Sequence, residues 1–109
     1  MIVPYDHVSK IETATPESMD ELMVLARQAE HVLEMTYKPD GLNLGMNLGT
    51  AAGAGIEQHL HMHLVPRWSG DANFMTTIGH SRVIPEALED TFHKVSLGFA
   101  ALRKNQVSE

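Results

Sequence analysis

The strongest constraint on this chain is a strict alternation in residues 59–65, which read His-Leu-His-Met-His-Leu-Val. Because successive side chains of a β-strand point to opposite faces, this pattern predicts a strand over 58–65. His59, His61 and His63 would then form a row on one face, about 6.6–6.8 Å apart along the strand. Leu60, Met62 and Leu64 would face the core, and Pro66 would end the strand.

A second period-two pattern lies just before the histidines. Leu42, Leu44, Met46 and Leu48 alternate with Asn43, Gly45 and Asn47, which predicts a strand over 42–48 with one apolar and one small polar face. If the two strands pair, Asn43 and Asn47 share the histidine face. The connecting segment 49–55 has no large side chain, so its backbone N–H groups can approach an anion at one end of the row.

Two helices flank these strands. Thr15-Pro16 is a favourable start for a helix, and apolar residues follow at intervals of three and four positions. Lys38-Pro39-Asp40-Gly41 ends this pattern, which predicts a helix over 16–37. Pro85-Glu86 opens a second helix, whose expected core stripe is Leu88, Phe92, Val95, Phe99 and Leu102. Helix, strand, strand and helix indicate an α+β fold, and the 109 residues suit a single domain, 1–109.

Composition excludes several classes of protein. The formal charge is −6, from 8 basic and 14 acidic residues, which disfavours nucleic-acid binding because such binding depends on basic side chains. The absence of cysteine excludes disulfides, thiol nucleophiles and Cys-ligated zinc. No apolar run could span a membrane and no signal peptide is visible, so we expect a cytoplasmic protein with no membrane partner.

The histidine row suits chemistry at phosphorus. Beside a loop of backbone donors, one neutral imidazole could attack a phosphate group while another donates a proton. Metal binding is the alternative, because His-x-His on a strand is a known ligand spacing and imidazole suits Zn, Cu or Ni. Three collinear imidazoles rarely converge on one ion, and no obvious carboxylate ligand follows them. A purely structural row is the third interpretation.

The segment from His59 to Val65 resembles the motif His-φ-His-φ-His-φ-φ, where φ is apolar, of the histidine triad (HIT) family of nucleotide hydrolases and transferases. The resemblance extends over nearly the whole chain, from Val3-Pro4 through the first helix, Asn47 and the glycines to the triad strand. The stretches 52–56, 65–68 and 70–75 look like the bacterial branch that includes diadenosine tetraphosphate phosphorylases.

The resemblance implies a role for each matching residue. His61 matches the nucleophile that attacks the α-phosphorus of a nucleotide, and His63 the residue near the leaving group. His59 matches the residue that orients the others, partly through its own backbone carbonyl. Asn47 and the loop glycines Gly53 and Gly55 match the phosphate-contacting segment. Arg67 and Trp68 have no counterpart in the general motif of the family, so they are interpreted as residues at the rim of the site that are specific to the bacterial branch.

The resemblance also implies a reaction and an assembly. The expected activity is cleavage of a nucleotide phosphoanhydride or phosphoramidate through a nucleotidyl-histidine intermediate, with no required cofactor, a divalent metal possible, and a homodimer as the assembly. Family members carry further strands and another histidine before the segment matched by residues 1–4, so these N-terminal strands are expected to be short or missing. His7 lies on the wrong side of Pro4 to replace that histidine and is interpreted as a loop residue. A non-catalytic nucleotide-binding module and a His-based metal-binding protein remain alternatives.

Overall fold

The computed structural model describes residues 1–53, 59–71 and 86–107, and it confirms the α+β class. A 3-10 turn at Ile11–Thr13 precedes helix α1, Pro16–Tyr37. Strand β1, Gly41–Gly45, follows, then a second 3-10 turn at Thr50–Ala52, strand β2, His63–Arg67, and helix α2, Leu88–Val107. The two strands pair antiparallel. By the packing of its backbone, the chain divides into two compact units.

Helix α1 has the boundaries that the sequence predicts. The Thr15 hydroxyl accepts a hydrogen bond from the Ser18 backbone N–H at 3.1 Å, which satisfies one of the unpaired donors at the helix N-terminus. Pro16 occupies the first helical position, where its missing N–H costs nothing. At the other end Lys38 takes a positive φ of 48° and donates to the Glu34 carbonyl, after which Pro39 prevents continuation.

The first unit, residues 1–30 and 43–65, contains the histidines and packs them on a small apolar core. Leu22 and Ala26 of α1 are buried against Met62, and this cluster is extended by partly buried side chains of Ile2, Met46 and Leu64. Leu60 is also buried, at 2% exposure. The apolar face predicted for the histidine segment therefore anchors that segment to the helix.

Both strands differ in extent from the prediction. Strand β1 ends at Gly45 rather than 48, and β2 begins at His63 rather than 58 and continues through Pro66 to Arg67. Residues 59–62 pair instead with the N-terminal segment, since Ile2 and Met62 exchange both backbone hydrogen bonds, at 2.8 and 2.9 Å. Side-chain alternation reports an extended backbone but not its partner, which is why the pattern predicted one continuous strand. Among the described residues β2 pairs with β1 alone, and Pro66 is tolerated in such a strand because its missing N–H can face the edge that carries no described partner.

The second unit, residues 31–42 and 66–109, centres on Val32 of α1, which is 1% exposed. Gly98 of α2 lies against it, because a Cβ at Gly98 would come within 2.6 Å of Val32 Cγ1. The predicted stripe of α2 is wrong at its N-terminal end, where Leu88 and Phe92 are 82% and 75% exposed. Helix periodicity identifies an apolar face but not how much of that face finds a partner.

A polar network in the same unit joins the N-terminus of α2 to the end of α1. One oxygen of Glu86 accepts hydrogen bonds from the Tyr37 and Thr91 hydroxyls, at 2.6 and 2.7 Å, and the other accepts from Lys94 Nζ at 2.6 Å. These bonds, the one from Lys94 foremost, lower the pKa of Glu86 to about 2. Neither α1 nor α2 has the length of apolar sequence needed to cross a membrane, and the same is true throughout the described residues.

Candidate active site

The three histidines occupy one side of an extended segment, as the alternation predicts. His59, His61 and His63 are each partly buried, whereas Leu60 and Met62 between them are buried. The His61 and His63 rings have centroids 6.4 Å apart and planes inclined at 54°. Although the three residues do not belong to a single strand, two neighbouring imidazoles therefore lie within reach of one small substrate group.

A hydrogen bond to a backbone carbonyl fixes the tautomer of His61. Its Nδ1 donates to the carbonyl oxygen of His59 at 3.0 Å. A carbonyl oxygen can only accept, so Nδ1 carries the hydrogen and the lone pair of the neutral ring lies on Nε2. The unprotonated Nε2 of His61 is thus held in a defined position by the backbone carbonyl of His59.

His59 is held by the N-terminal segment. Its Nε2 donates to the Pro4 carbonyl oxygen at 3.0 Å, and the Leu60 backbone N–H donates to the Val8 carbonyl at 2.7 Å. The ring of His7 packs edge-on against the ring of His59, with centroids 4.8 Å apart. His7 does lie in a loop, as predicted, but the sequence contained no signal for this contact, because 52 positions separate the two residues.

His63 lies over a glycine of the neighbouring strand. A Cβ placed on Gly45 would be 3.7 Å from His63 Nε2, so a side chain at this position would be in van der Waals contact with the ring. Sequence reasoning did not assign Gly45 to the site. The available signal was the small polar face of β1, Asn43 and Gly45, which leaves room for large rings on the partner strand.

The predicted phosphate-contacting residues Asn47 and Gly53 are close together. Gly53 has φ of +96°, which L-residues rarely adopt, and a Cβ there would be 3.3 Å from the Asn47 side-chain nitrogen. Gly49 also has a positive φ, 84°, so the turn after Asn47 depends on two glycines. Asn43 lies exposed in β1. Gly55, the other predicted loop glycine, lies outside the described residues.

A cavity of about 540 Å³ opens beside these groups, within the first unit. Asn47 and His59 contribute to its wall, which joins the predicted phosphate-contacting loop to the histidine segment. Its lining comes from three stretches of chain: Ser9, Lys10, Ile11 and Glu12; Asn47, Leu48 and Gly49; and His59 and Leu60. A cavity of this volume is in the range of small-molecule sites.

Arg67 and Trp68 are organised by Asp71. Arg67 donates from Nε and Nη2 to the two carboxylate oxygens of Asp71, at 2.7 and 2.6 Å, and the hydrogen bonding raises the pKa of the guanidinium. The Trp68 backbone N–H also donates to Asp71, at 3.1 Å, while its indole is 44% exposed. These bonds order the turn after β2, and the assignment of Arg67 and Trp68 to the rim of the site stays a prediction.

The described histidines do not form a metal centre. In the ranges 1–53, 59–71 and 86–107, no three His, Asp or Glu side chains are grouped so that they could hold an ion. The described residues therefore offer no grouped set of ligands for a metal ion, and no chemical step is derived through one.

Comparison with known proteins places this geometry in a family. Residues 1–70 match the HIT domain. The chain is 50% identical over 91 residues to an AP-4-A phosphorylase of Mycobacterium tuberculosis, an alignment covering 84% of this chain and 47% of that protein. It is 27% identical over 71 residues to a bis(5'-nucleosyl)-tetraphosphatase [asymmetrical] of Schizosaccharomyces pombe, covering 65% of this chain and 38% of that protein.

The fold has solved counterparts. A Zn-bound histidine triad family protein from Mycobacterium smegmatis superposes with a TM-score of 0.72 at 22% identity, covering 94% of this chain and 69% of that one. The chain spans about half the length of the phosphorylase that it matches. The matched domain, the shared fold and the histidine row lead to one conclusion: the chain belongs to the HIT domain family.

Proposed function

We propose that this protein cleaves dinucleoside polyphosphates, or related nucleotide phosphoanhydrides and phosphoramidates, through a covalent nucleotidyl intermediate on His61. The observation that carries the proposal is the hydrogen bond from His61 Nδ1 to the His59 carbonyl, because it leaves the lone pair on Nε2. Similarity to a phosphorylase and a tetraphosphatase named for such substrates supports the same substrate class.

The reaction divides into two displacements at the α-phosphorus. In the first, His61 Nε2 forms a P–N bond as the P–O bond to the leaving phosphate breaks. The neighbouring ring of His63 supplies a proton to the departing oxygen when the leaving group must be protonated. In the second, water or inorganic phosphate attacks, the P–N bond breaks, and His63 recovers the proton from the acceptor. His61 returns to its starting tautomer, held throughout by His59.

Asn47 and Gly53 are proposed to stabilise the negative charge on the phosphate oxygens, with Gly55 and Asn43 as further contacts. The proximity of the Asn47 amide to Gly53 supports a shared surface of side-chain and backbone donors. Preorganised donors of this kind are usually the largest single contribution to catalysis of such transfers.

The test is incubation with diadenosine tetraphosphate, with and without inorganic phosphate. Phosphorolysis yields ADP and ATP, whereas asymmetric hydrolysis yields AMP and ATP. His61→Ala should lower turnover at least about 1000-fold without unfolding the chain, whereas the control His93→Ala, which removes an exposed histidine of α2, should not. AMP binding without turnover in the wild type would favour a nucleotide-binding module, and a stoichiometric ion lost on mutating His59 or His63 would favour a metal-binding protein.

We also infer a homodimer of single HIT-like domains in the cytoplasm. The division into two units is compatible with one domain because α1 contributes residues to both. Self-association is supported by apolar side chains left exposed on both strands, Leu44 at 50% and Val65 at 43%. Sedimentation at micromolar concentration would test this, and a stable, folded monomer would contradict it. A fluorescent fusion expressed in cells would test the location.

A further inference from the structure

The N-terminal segment Ile2–Val8 contacts the histidine segment at both ends. Ile2 pairs with Met62, and Val8 accepts the Leu60 backbone N–H, so the segment follows residues 60–62 along their backbone. Between these anchors lie the two contacts to His59: the Pro4 carbonyl at its Nε2 and the His7 ring at 4.8 Å. The ring of His59 is therefore held by groups from this segment.

We propose that His7 is a positioning residue of the active site, which acts by fixing the ring and backbone of His59. The inference rests on the proposed function. His59 presents its backbone carbonyl to His61 Nδ1, so a shift of the His59 backbone changes the hydrogen bond that selects the reactive tautomer. Edge-to-face contact favours one inclination of the two rings, here 63° between their planes, so it restrains the His59 side chain and, through it, the residue that carries this carbonyl.

A merely structural role for His7 is a poor alternative. Its side chain is exposed, and it does not belong to the apolar cluster of Leu22, Ala26 and Met62 that holds the unit together. The neighbouring Tyr5 is fully exposed, so loss of its side chain should disturb nothing and provides a matched control in the same loop. His7 thus differs from its neighbour by its ring contact to His59.

The experiment combines kinetics with nitrogen-15 NMR of the histidine rings, in wild type, His7→Ala, His7→Phe and Tyr5→Ala. With diadenosine tetraphosphate, His7→Ala should lower kcat about 2- to 10-fold with little change in KM, because the contact orders the nucleophile rather than binding substrate. His7→Phe retains an edge-on ring and should restore most of kcat. Tyr5→Ala should match wild type.

The NMR measurement separates this inference from the proposed function. In the free protein, the nitrogen shifts of His59 and His61 should indicate single tautomers in wild type and a tautomer mixture in His7→Ala. If wild type turns over no substrate, the proposed function fails, but the ring nitrogens still decide the role of His7. Unchanged tautomers at both rings in His7→Ala would overturn the inference, as would an unchanged kcat in an active protein.

Discussion

Gly98 tests the packing of the second unit most sharply, because two effects of opposite sign meet there. Replacing a helix-interior glycine by alanine normally stabilises a helix by about 1 kcal/mol. Here the new Cβ would lie 2.6 Å from Val32 Cγ1, and Val32 is 1% exposed, so its side chain has no solvent to move into. Overpacking of this kind costs about 1–3 kcal/mol or more. We expect Gly98→Ala to lower the free energy of unfolding by up to about 2 kcal/mol.

The assay is equilibrium urea unfolding of four proteins: wild type, Gly98→Ala, Val32→Ala and the double variant. In the Val32→Ala background the clashing methyl groups are gone, so Gly98→Ala should stabilise by about 1 kcal/mol through helix propensity alone. The sign of the Gly98→Ala effect therefore reverses between the two backgrounds. A stabilising Gly98→Ala in the wild-type background would refute the described packing of α2 on Val32.

Two further predictions concern charge and backbone. The pKa of Glu86 is lowered from 4.5 to about 2, chiefly by its hydrogen bond from Lys94. The stabilisation that Glu86 contributes is therefore complete above about pH 4.5 and is lost as the pH falls through 2. In thermal melts, the Tm of Glu86→Gln should lie below that of wild type at pH 7 and converge with it near pH 2. Gly53→Ala must adopt a φ of +96° and displace the Asn47 amide, so it should lower stability by about 1–2 kcal/mol and raise KM for the nucleotide. Gly41→Ala, whose Cβ would meet nothing within 4 Å, is the control, and equal effects of the two substitutions on stability and KM would contradict this role of Gly53.

Features set by neighbouring residues could be predicted from the sequence. Thr15-Pro16 and Lys38-Pro39 mark both ends of α1, because capping and proline sterics act within one turn. The alternation of 59–62 correctly predicts that Leu60 and Met62 are buried between partly buried histidines, since an extended backbone places successive side chains on opposite faces, whereas Leu64 is only partly buried. The α+β class and the common side of the three histidines follow from these signals.

Features that depend on distant pairing could not be predicted. The partner of residues 59–62 is the segment near Ile2, about 60 positions away. The residues around the end of β1 at Gly45 and the start of β2 at His63 therefore did not indicate where pairing between the two strands stops. The contacts of His59 with Pro4 and His7 are equally remote in the chain. Each depends on where the N-terminal segment docks, which is decided by packing rather than by periodicity.

The identity of the nucleophile can be measured directly by trapping the intermediate. Wild-type protein mixed with a slight excess of diadenosine tetraphosphate, quenched within the first turnover and digested, should give one adenylylated peptide, modified at His61 and absent from His61→Ala. An adduct on His59 or His63, or full turnover with no covalent adduct at any time point, would contradict the assignment of the free Nε2 of His61 as the attacking atom.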